Sequence, residues 1–269
     1  MSGTRPIAVV TGASSGIGEA TVRRLASRGW RCVLVARREE LLRSLATEVD
    51  GEVEAFDVSD RAAVLAATAR IRDRHPRVNL LVNGAGILAK GSFADAPLDL
   101  VEQALAVNYL GGVWTTRGLL DGLRAAADAG EPAHVVDLAS TGGTIVFTPA
   151  APYSASKHAQ VAFSRSLRAA LDGTGIRVHT VLPGFVTTPG FPHPTLFSTR
   201  LGRRFVVGPD DVARRIVRLV EQGGDEATIP RFPYAIGAAT QALLPSLTAR
   251  VLGWARYPDE PAEEEDPRG

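Results

Sequence analysis

The chain has 269 residues, 45% hydrophobic and 22% charged, a composition that supports a sizeable core and excludes a fibrous or intrinsically disordered protein. Its formal net charge of +1, with arginines dispersed among acids, gives no reason to expect nucleic acid as a partner. The single cysteine, Cys32, excludes an internal disulfide and favours a reducing, cytoplasmic location.

Ile7-Ala8-Val9-Val10 predicts a first strand that runs straight into a glycine-rich loop, and Ile17 to Arg28 a helix stopped by Gly29. Cys32 to Ala36 reads as a second strand, with Cys32 as core packing rather than a nucleophile. A helix is expected over Glu39 to Val49, a strand over Val53 to Phe56, a helix from Arg61 to about Arg74 and a strand over Val78 to Val82. Leu98 to Ala129 is helical in composition, with a bend expected at Gly111-Gly112. His134 to Leu138 and Ile176 to Leu182 read as strands on either side of a helix from Ser156 to Leu171. A helix from Asp210 to Glu221, with Pro209 at its entry, and a short strand at Ala227-Thr228-Ile229 complete the pattern.

Apolar strands alternating with helices about seven times predict an α/β fold. It is a Rossmann-type doubly wound parallel β-sheet of about seven strands, three-layered (α/β/α), with its ligand crevice at the carboxyl ends of the strands. One domain is expected over 1–254, with its core at 5–230, a substrate lid at about 189–208 and an apolar C-terminal extension at 232–254. The acidic, Pro-rich residues 255–269 read as a disordered tail. Residues Met1 to Pro6 lack the apolar stretch and cleavage site of a secretory signal. The stretch Phe232 to Leu252 is interrupted by Pro233, Gly237, Pro245 and Arg250, which argues against a membrane span. The extension could still cover a substrate pocket, complete a subunit interface or rest peripherally on a membrane, the first two being favoured.

The loop Thr11-Gly12-Ala13-Ser14-Ser15-Gly16-Ile17-Gly18 follows a strand and opens a helix. Gly12 serves the tight turn, Gly16 the approach of backbone N–H groups to a pyrophosphate, and Gly18 the close packing of helix on sheet. At the end of the second strand, where a carboxylate would bind the ribose of NAD, the chain reads Ala36-Arg37-Arg38. A guanidinium there binds a 2′-phosphate, so NADP(H) is expected, with Arg37 as the main ligand and Ser14 and Arg38 in support.

Tyr153 and Lys157 stand one helical turn apart. Hydride transfer to a carbonyl creates an alkoxide that needs a proton, and a phenol can give it. Tyr153 is therefore the expected general acid/base, Lys157 the cation that lowers its pKa and holds the ribose, and Ser140 the hydrogen-bond donor to the substrate oxygen.

With these residues assembled, the chain resembles the short-chain dehydrogenase/reductase family of the single-domain type, over about residues 5 to 230. The TGxxxGxG pattern is met by Thr11, Gly12, Gly16 and Gly18, and the Ser-Tyr-Lys set with YxxxK by Ser140, Tyr153 and Lys157. The resemblance implies that Asn108 holds a water relaying protons to the lysine. It places Asp57 and Val58 on the adenine side, Asn83, Gly84 and Ala85 after the fourth strand, and Pro183, Gly184, Val186 and Thr188 near the nicotinamide carboxamide. The family's Asn-Asn-Ala-Gly reads Asn83-Gly84-Ala85-Gly86 here, and a local loss of rigidity is expected. The resemblance also implies a homo-dimer or homo-tetramer.

The expected activity is therefore NADP-dependent interconversion of a carbonyl and a primary or secondary alcohol on a small, partly apolar molecule. Phe191, Leu196 and Phe197 in the lid suit such a substrate; His193 reads as a solvated loop residue. No metal is expected, since His134, His158 and His179 show no ligand spacing. The alternatives are an NAD-dependent alcohol dehydrogenase and a non-catalytic dinucleotide-binding regulatory protein.

Overall fold

The computed structural model describes residues 5–188 and 205–254. Strands β1 (Ile7–Thr11), β2 (Arg31–Ala36), β3 (Glu52–Ala55), β4 (Leu80–Asn83), β5 (His134–Leu138) and β6 (Arg177–Pro183) form one parallel sheet with β9 (Glu226–Ile229). Its order is β3-β2-β1-β4-β5-β6-β9. β7 (Phe185–Val186) and β8 (Val206–Val207) make a small parallel pair just beyond β6. The helices are α1 (Gly16–Ala26), α2 (Glu39–Val49), α3 (Arg61–Arg74), α4 (Leu98–Leu105), α5 (Gly111–Asp128), α6 (Ala151–Ala170), α7 (Pro209–Gln222), α8 (Arg231–Leu243) and α9 (Pro245–Trp254).

The alternation of side chains along a strand builds two cores from one sheet. Ala8, Val10, Cys32, Leu34, Leu80 and Val82 face one side and pack with apolar residues of α1, α2 and α7. Val9, Val33, Val35, Leu81 and Val135 face the other and pack with α3 and α5. Burial pushes the Cys32 thiol up to about 12, which leaves it an inert core group. The strand order reverses between β1 and β4, so the crevice opens where Thr11 and Asn83 end.

Three details depart from the sequence reading. α6 starts at Ala151, five residues before Ser156, because Pro152 in its first turn is preset for helical φ; Tyr153 therefore belongs to that turn. The expected bend at Gly111 is a π-helical turn, Ala106–Leu110. Gly111 then lets the helix press against Val58, whose Cβ would be 2.9 Å from an added methyl. The C-terminal extension forms α8 and α9, joined at Leu244, and exposes Phe232, Ile236, Leu243, Leu244, Leu247 and Val251. No described helix is long and apolar enough to cross a membrane. Lid residues 189–204, including Phe191, His193, Leu196 and Phe197, and the tail 255–269 lie outside the described residues.

At the amino end of the sheet His134 Nδ1 lies 3.0 Å from His179 Nε2, and His179 Nδ1 lies 2.6 Å from the Gly224 carbonyl. A carbonyl only accepts, so His179 carries its proton on Nδ1 and accepts from His134 through Nε2. Both rings are neutral. Burial lowers His134 to about 4 and also lowers His179. Between pH 6.5 and 4 the unfolded chain takes up a proton at His134 that the folded chain refuses, so stability falls as pH falls. The loss from His134 reaches about 3 kcal/mol below pH 4. Thermal unfolding across this range should show the decline, and His134→Gln should flatten it.

Candidate active site

The cofactor-side cradle is built from main chain. Gly12 (φ +71°) and Gly16 (φ +58°) adopt left-handed backbone, which favours glycine. A Cβ on Gly18 would overlap the Gly12 carbonyl oxygen, so helix α1 can approach the β1 turn only with glycine there. Ser15 caps α1 without a side-chain bond, leaving the first amides of the helix pointing into the crevice with the positive end of its dipole. Such a cradle fits a pyrophosphate. Thr188 closes it from the other side, its Cγ2 only 2.9 Å from where a Gly16 Cβ would stand.

Across the switch point, Thr11 Oγ1 accepts from the Gly84 and Ala85 amides at 3.0 and 3.2 Å. A Cβ at Gly84 would lie 2.7 Å from the Thr11 carbonyl oxygen, so glycine is what this close approach requires. Thr11 and Asn83 tie the strands at this point. Asn83 Nδ2 donates to Thr116 Oγ1 (2.9 Å) and Asp137 Oδ1 (2.8 Å). The Asn83 side chain is thus committed to the protein interior, and any ligand contact from this residue comes from its main chain.

The two arginines diverge. Arg38 donates to both Ser14 Oγ and Ser15 Oγ at 3.0 Å, lying against the glycine loop. Arg37 is well exposed, with its guanidinium 3.7 Å from Asp57 Oδ2. Asp57 Oδ1 in turn accepts from the Ser59 amide and hydroxyl. Arg37, Arg38, Asp57 and Val58 therefore gather beyond the ends of β2 and β3.

On the other side of the switch point, Ser140, Tyr153 and Lys157 come together, all buried or nearly so. Ser140 Oγ accepts from the Gly142 amide (3.0 Å) and donates toward the Pro183 carbonyl (3.4 Å). Burial pushes the Tyr153 phenol up to about 12, against a side-chain hydrogen bond with Ser140 that lowers it. Lys157 Nζ lies 5.9 Å from the Tyr153 ring centroid and bonds the Leu138 carbonyl (3.0 Å) and Gln160 Oε1 (2.8 Å). Burial lowers Lys157 to about 7 while Asp137 raises it. Desolvation of the phenol dominates over its bond with Ser140.

Asn108 sits in the π turn, where the extra residue aims it across the cleft. Its Oδ1 accepts from the Ile87 amide (2.8 Å), and its Nδ2 donates to the Ile87 carbonyl (3.0 Å) and Ser156 Oγ (2.9 Å). Ser156 donates to the Tyr153 carbonyl (2.7 Å), so Asn108 reaches the tyrosine's backbone through one hydroxyl. Sequence reasoning missed Asp137 and Gln160. Asp137 had a legible signal, a carboxylate inside the apolar run His134-Val135-Val136-Asp137-Leu138. No cluster of metal ligands occurs among the described residues.

The sequence profile described as short chain dehydrogenase matches residues 6–193. The chain belongs to the short-chain dehydrogenase/reductase family. It is 38% identical over 190 residues to the granaticin polyketide synthase putative ketoacyl reductase 1 of Streptomyces violaceoruber, covering 69% of each chain. It is 29% identical over 263 residues to dehydrogenase/reductase SDR family member 7B of Danio rerio, covering 91% of this chain and 84% of that one. Among solved structures, an actinorhodin polyketide ketoreductase variant with NADPH superposes with a TM-score of 0.75 at 31% identity, over 84% of this chain and 95% of that one. A 3-ketoacyl-(acyl-carrier-protein) reductase from Brucella melitensis complexed with NADH gives 0.76 at 27% identity, over 83% and 96%.

Proposed function

We propose that this member of the family is an NADP(H)-dependent oxidoreductase that interconverts a carbonyl and a primary or secondary alcohol on a small, partly apolar substrate. The reading rests above all on the Tyr153 phenol, hydrogen-bonded to Ser140 and flanked by Lys157 beside an anion-binding helix start. A nicotinamide dinucleotide held in the cradle would supply the hydride chemistry at the substrate carbon. Gly12, Ser14, Ser15, Gly16, Ile17 and Gly18 hold its pyrophosphate side, with Asp57 and Val58 toward the adenine and Pro183 to Thr188 toward the nicotinamide. Tyr153 gives or takes the proton, Ser140 orients the substrate oxygen, and Lys157 holds the ribose. Asn108 keeps the proton path to the lysine in place.

The preference for NADP rests on charge. Arg37 and Arg38 stand where a 2′-phosphate would sit, and the arginine pair in Ala36-Arg37-Arg38 replaces the carboxylate of an NAD site. Relatives of known structure were solved with both NADPH and NADH, so the residues of this chain carry the argument. Arg37→Ala should raise the KM for NADPH about tenfold or more, the loss of one charge-assisted contact, and leave that for NADH nearly unchanged. Equal KM values for the two nucleotides in the parent would refute the preference.

NADPH oxidation followed at 340 nm against a panel of ketones and aldehydes tests the activity itself. Nucleotide binding without turnover across the panel would favour a regulatory protein instead. The same reading places the enzyme in the cytoplasm as a homo-dimer or homo-tetramer, supported by the buried, unpaired Cys32 and by the family resemblance respectively.

A further inference from the structure

The C-terminal helix α8 lies beyond residues 6–193, the part of the chain that carries the family profile. It is attached to the active-site side of the sheet through Tyr234. The Tyr234 hydroxyl donates to the Phe205 carbonyl at 3.0 Å and accepts from the Phe185 amide at 3.3 Å. One oxygen thus satisfies two main-chain groups on stretches that are separate in sequence. The ring stands edge-on to Phe205, centroids 5.8 Å apart and planes at 89°. It also covers Gly184 so closely that a Cβ there would overlap ring carbons and lie 2.6 Å from Oη.

The loop Tyr234 touches is the one that meets the catalytic serine. Ser140 Oγ reaches the Pro183 carbonyl, two residues before the amide that Tyr234 accepts. Two residues beyond Val186's neighbour Phe185, the main chain is pinned again, Thr187 N–H to the Val207 carbonyl at 3.1 Å. A second contact joins α8 to the loop after β5: the Ile145 Cδ1 lies 2.7 Å from where a Gly237 Cβ would stand. Ile145 follows Ser140 by five residues. α8 therefore grips both loops that frame the reacting centre, although none of its own residues is fully buried.

We propose that Tyr234 is a positioning residue: its hydroxyl fixes the Pro183–Thr188 loop, and through it the nicotinamide end of the bound nucleotide. The assignment rests on the proposed function only in naming that nucleotide. The Phe185 amide donates to this hydroxyl, so deleting the hydroxyl removes one tie of the segment, beside those of Gly184 to Ile229 and Thr187 to Val207, without removing the ring that packs on Gly184 and Phe205.

The test is Tyr234→Phe. Its NADPH dissociation constant, from titration of intrinsic fluorescence, should rise about fivefold to tenfold, the equivalent of one lost hydrogen bond. In the nucleotide-free protein, hydrogen exchange at the Phe185 amide should speed up about tenfold while that at Val181 in β6 stays put. Leu243→Ser, an exposed change on the same helix, should alter neither. In the parent, NADPH should slow exchange over residues 234–240, because coupling runs both ways; this arm needs no variant and holds even if Tyr234→Phe folds poorly. Unchanged affinity and unchanged Phe185 exchange in Tyr234→Phe, or no response of α8 to NADPH in the parent, would overturn the assignment. A parent that binds neither nucleotide would instead sink the functional reading, and the Phe185 exchange measurement would still decide whether the hydroxyl holds the loop.

Discussion

Tyr153→Phe should lower kcat for carbonyl reduction by about 10²–10⁴-fold, the usual contribution of a positioned general acid. The substitution keeps the ring and its packing and removes only the oxygen that Ser140 bonds. The glycine cradle, the Arg38 contacts to Ser14 and Ser15 and the Thr11 tie do not involve that oxygen, so nucleotide affinity should change far less than kcat. Burial raises the phenol to about 12, which keeps it protonated at neutral pH, the form that donates to a developing alkoxide. Alcohol oxidation needs the phenolate, so its rate should climb with pH through the alkaline range, and reduction should decline over the same range. Single-turnover rates in both directions across pH check this; a Tyr153→Phe enzyme reducing carbonyls at the parent's rate would remove the phenol from the mechanism.

Gly18→Ala should be the most damaging single change to the cofactor cradle. The added methyl would overlap the Gly12 carbonyl oxygen and stand 2.7 Å from its carbon. Both are main-chain atoms of a turn already set in a left-handed conformation, so neither can swing aside as a side-chain tip would. Gly12 has little room to retreat either, because a Cβ there would itself stand 2.7 Å from the Gly84 carbonyl oxygen and 2.8 Å from the Ala85 amide nitrogen. Relief must come from shifting α1 away from β1, at a cost of about 2–4 kcal/mol. The melting temperature should drop by several degrees, and the displaced helix start should lose NADPH affinity by more than about tenfold. Differential scanning calorimetry with nucleotide titration measures both; an unshifted melting temperature would mean that the turn yields to the methyl.

Much of this was readable from residues alone, and the reasons are local. α2 and the start of α3 match the reading because their signals are short-range: an acidic first turn at Glu39 and Glu40, and Asp60 accepting from the Ala62 and Ala63 amides. The sheet followed from apolar strands buried on both faces. What escaped the reading depends on contacts distant in sequence. That Asn83 turns inward is decided by Thr116 and Asp137, 33 and 54 residues away. The need for glycine at position 84 comes from the Thr11 carbonyl, which no local pattern reveals. The early start of α6 is legible in Pro152, whose ring presets φ for a first helical turn. The contacts of Tyr234 and Gly237 in the C-terminal extension depend on the register of α8 against the loops after β5 and β6, which its sequence does not reveal.

The pairing of Asp137 with Lys157 carries a consequence for how the protein balances charge. Burial raises the first and lowers the second, so both groups lean toward their uncharged forms while each one's charge favours the other's. This part of the interior carries no net charge when both are ionised and none when both are neutral. Charge on Asp137 therefore favours the ammonium of Lys157, the form that would hold a ribose.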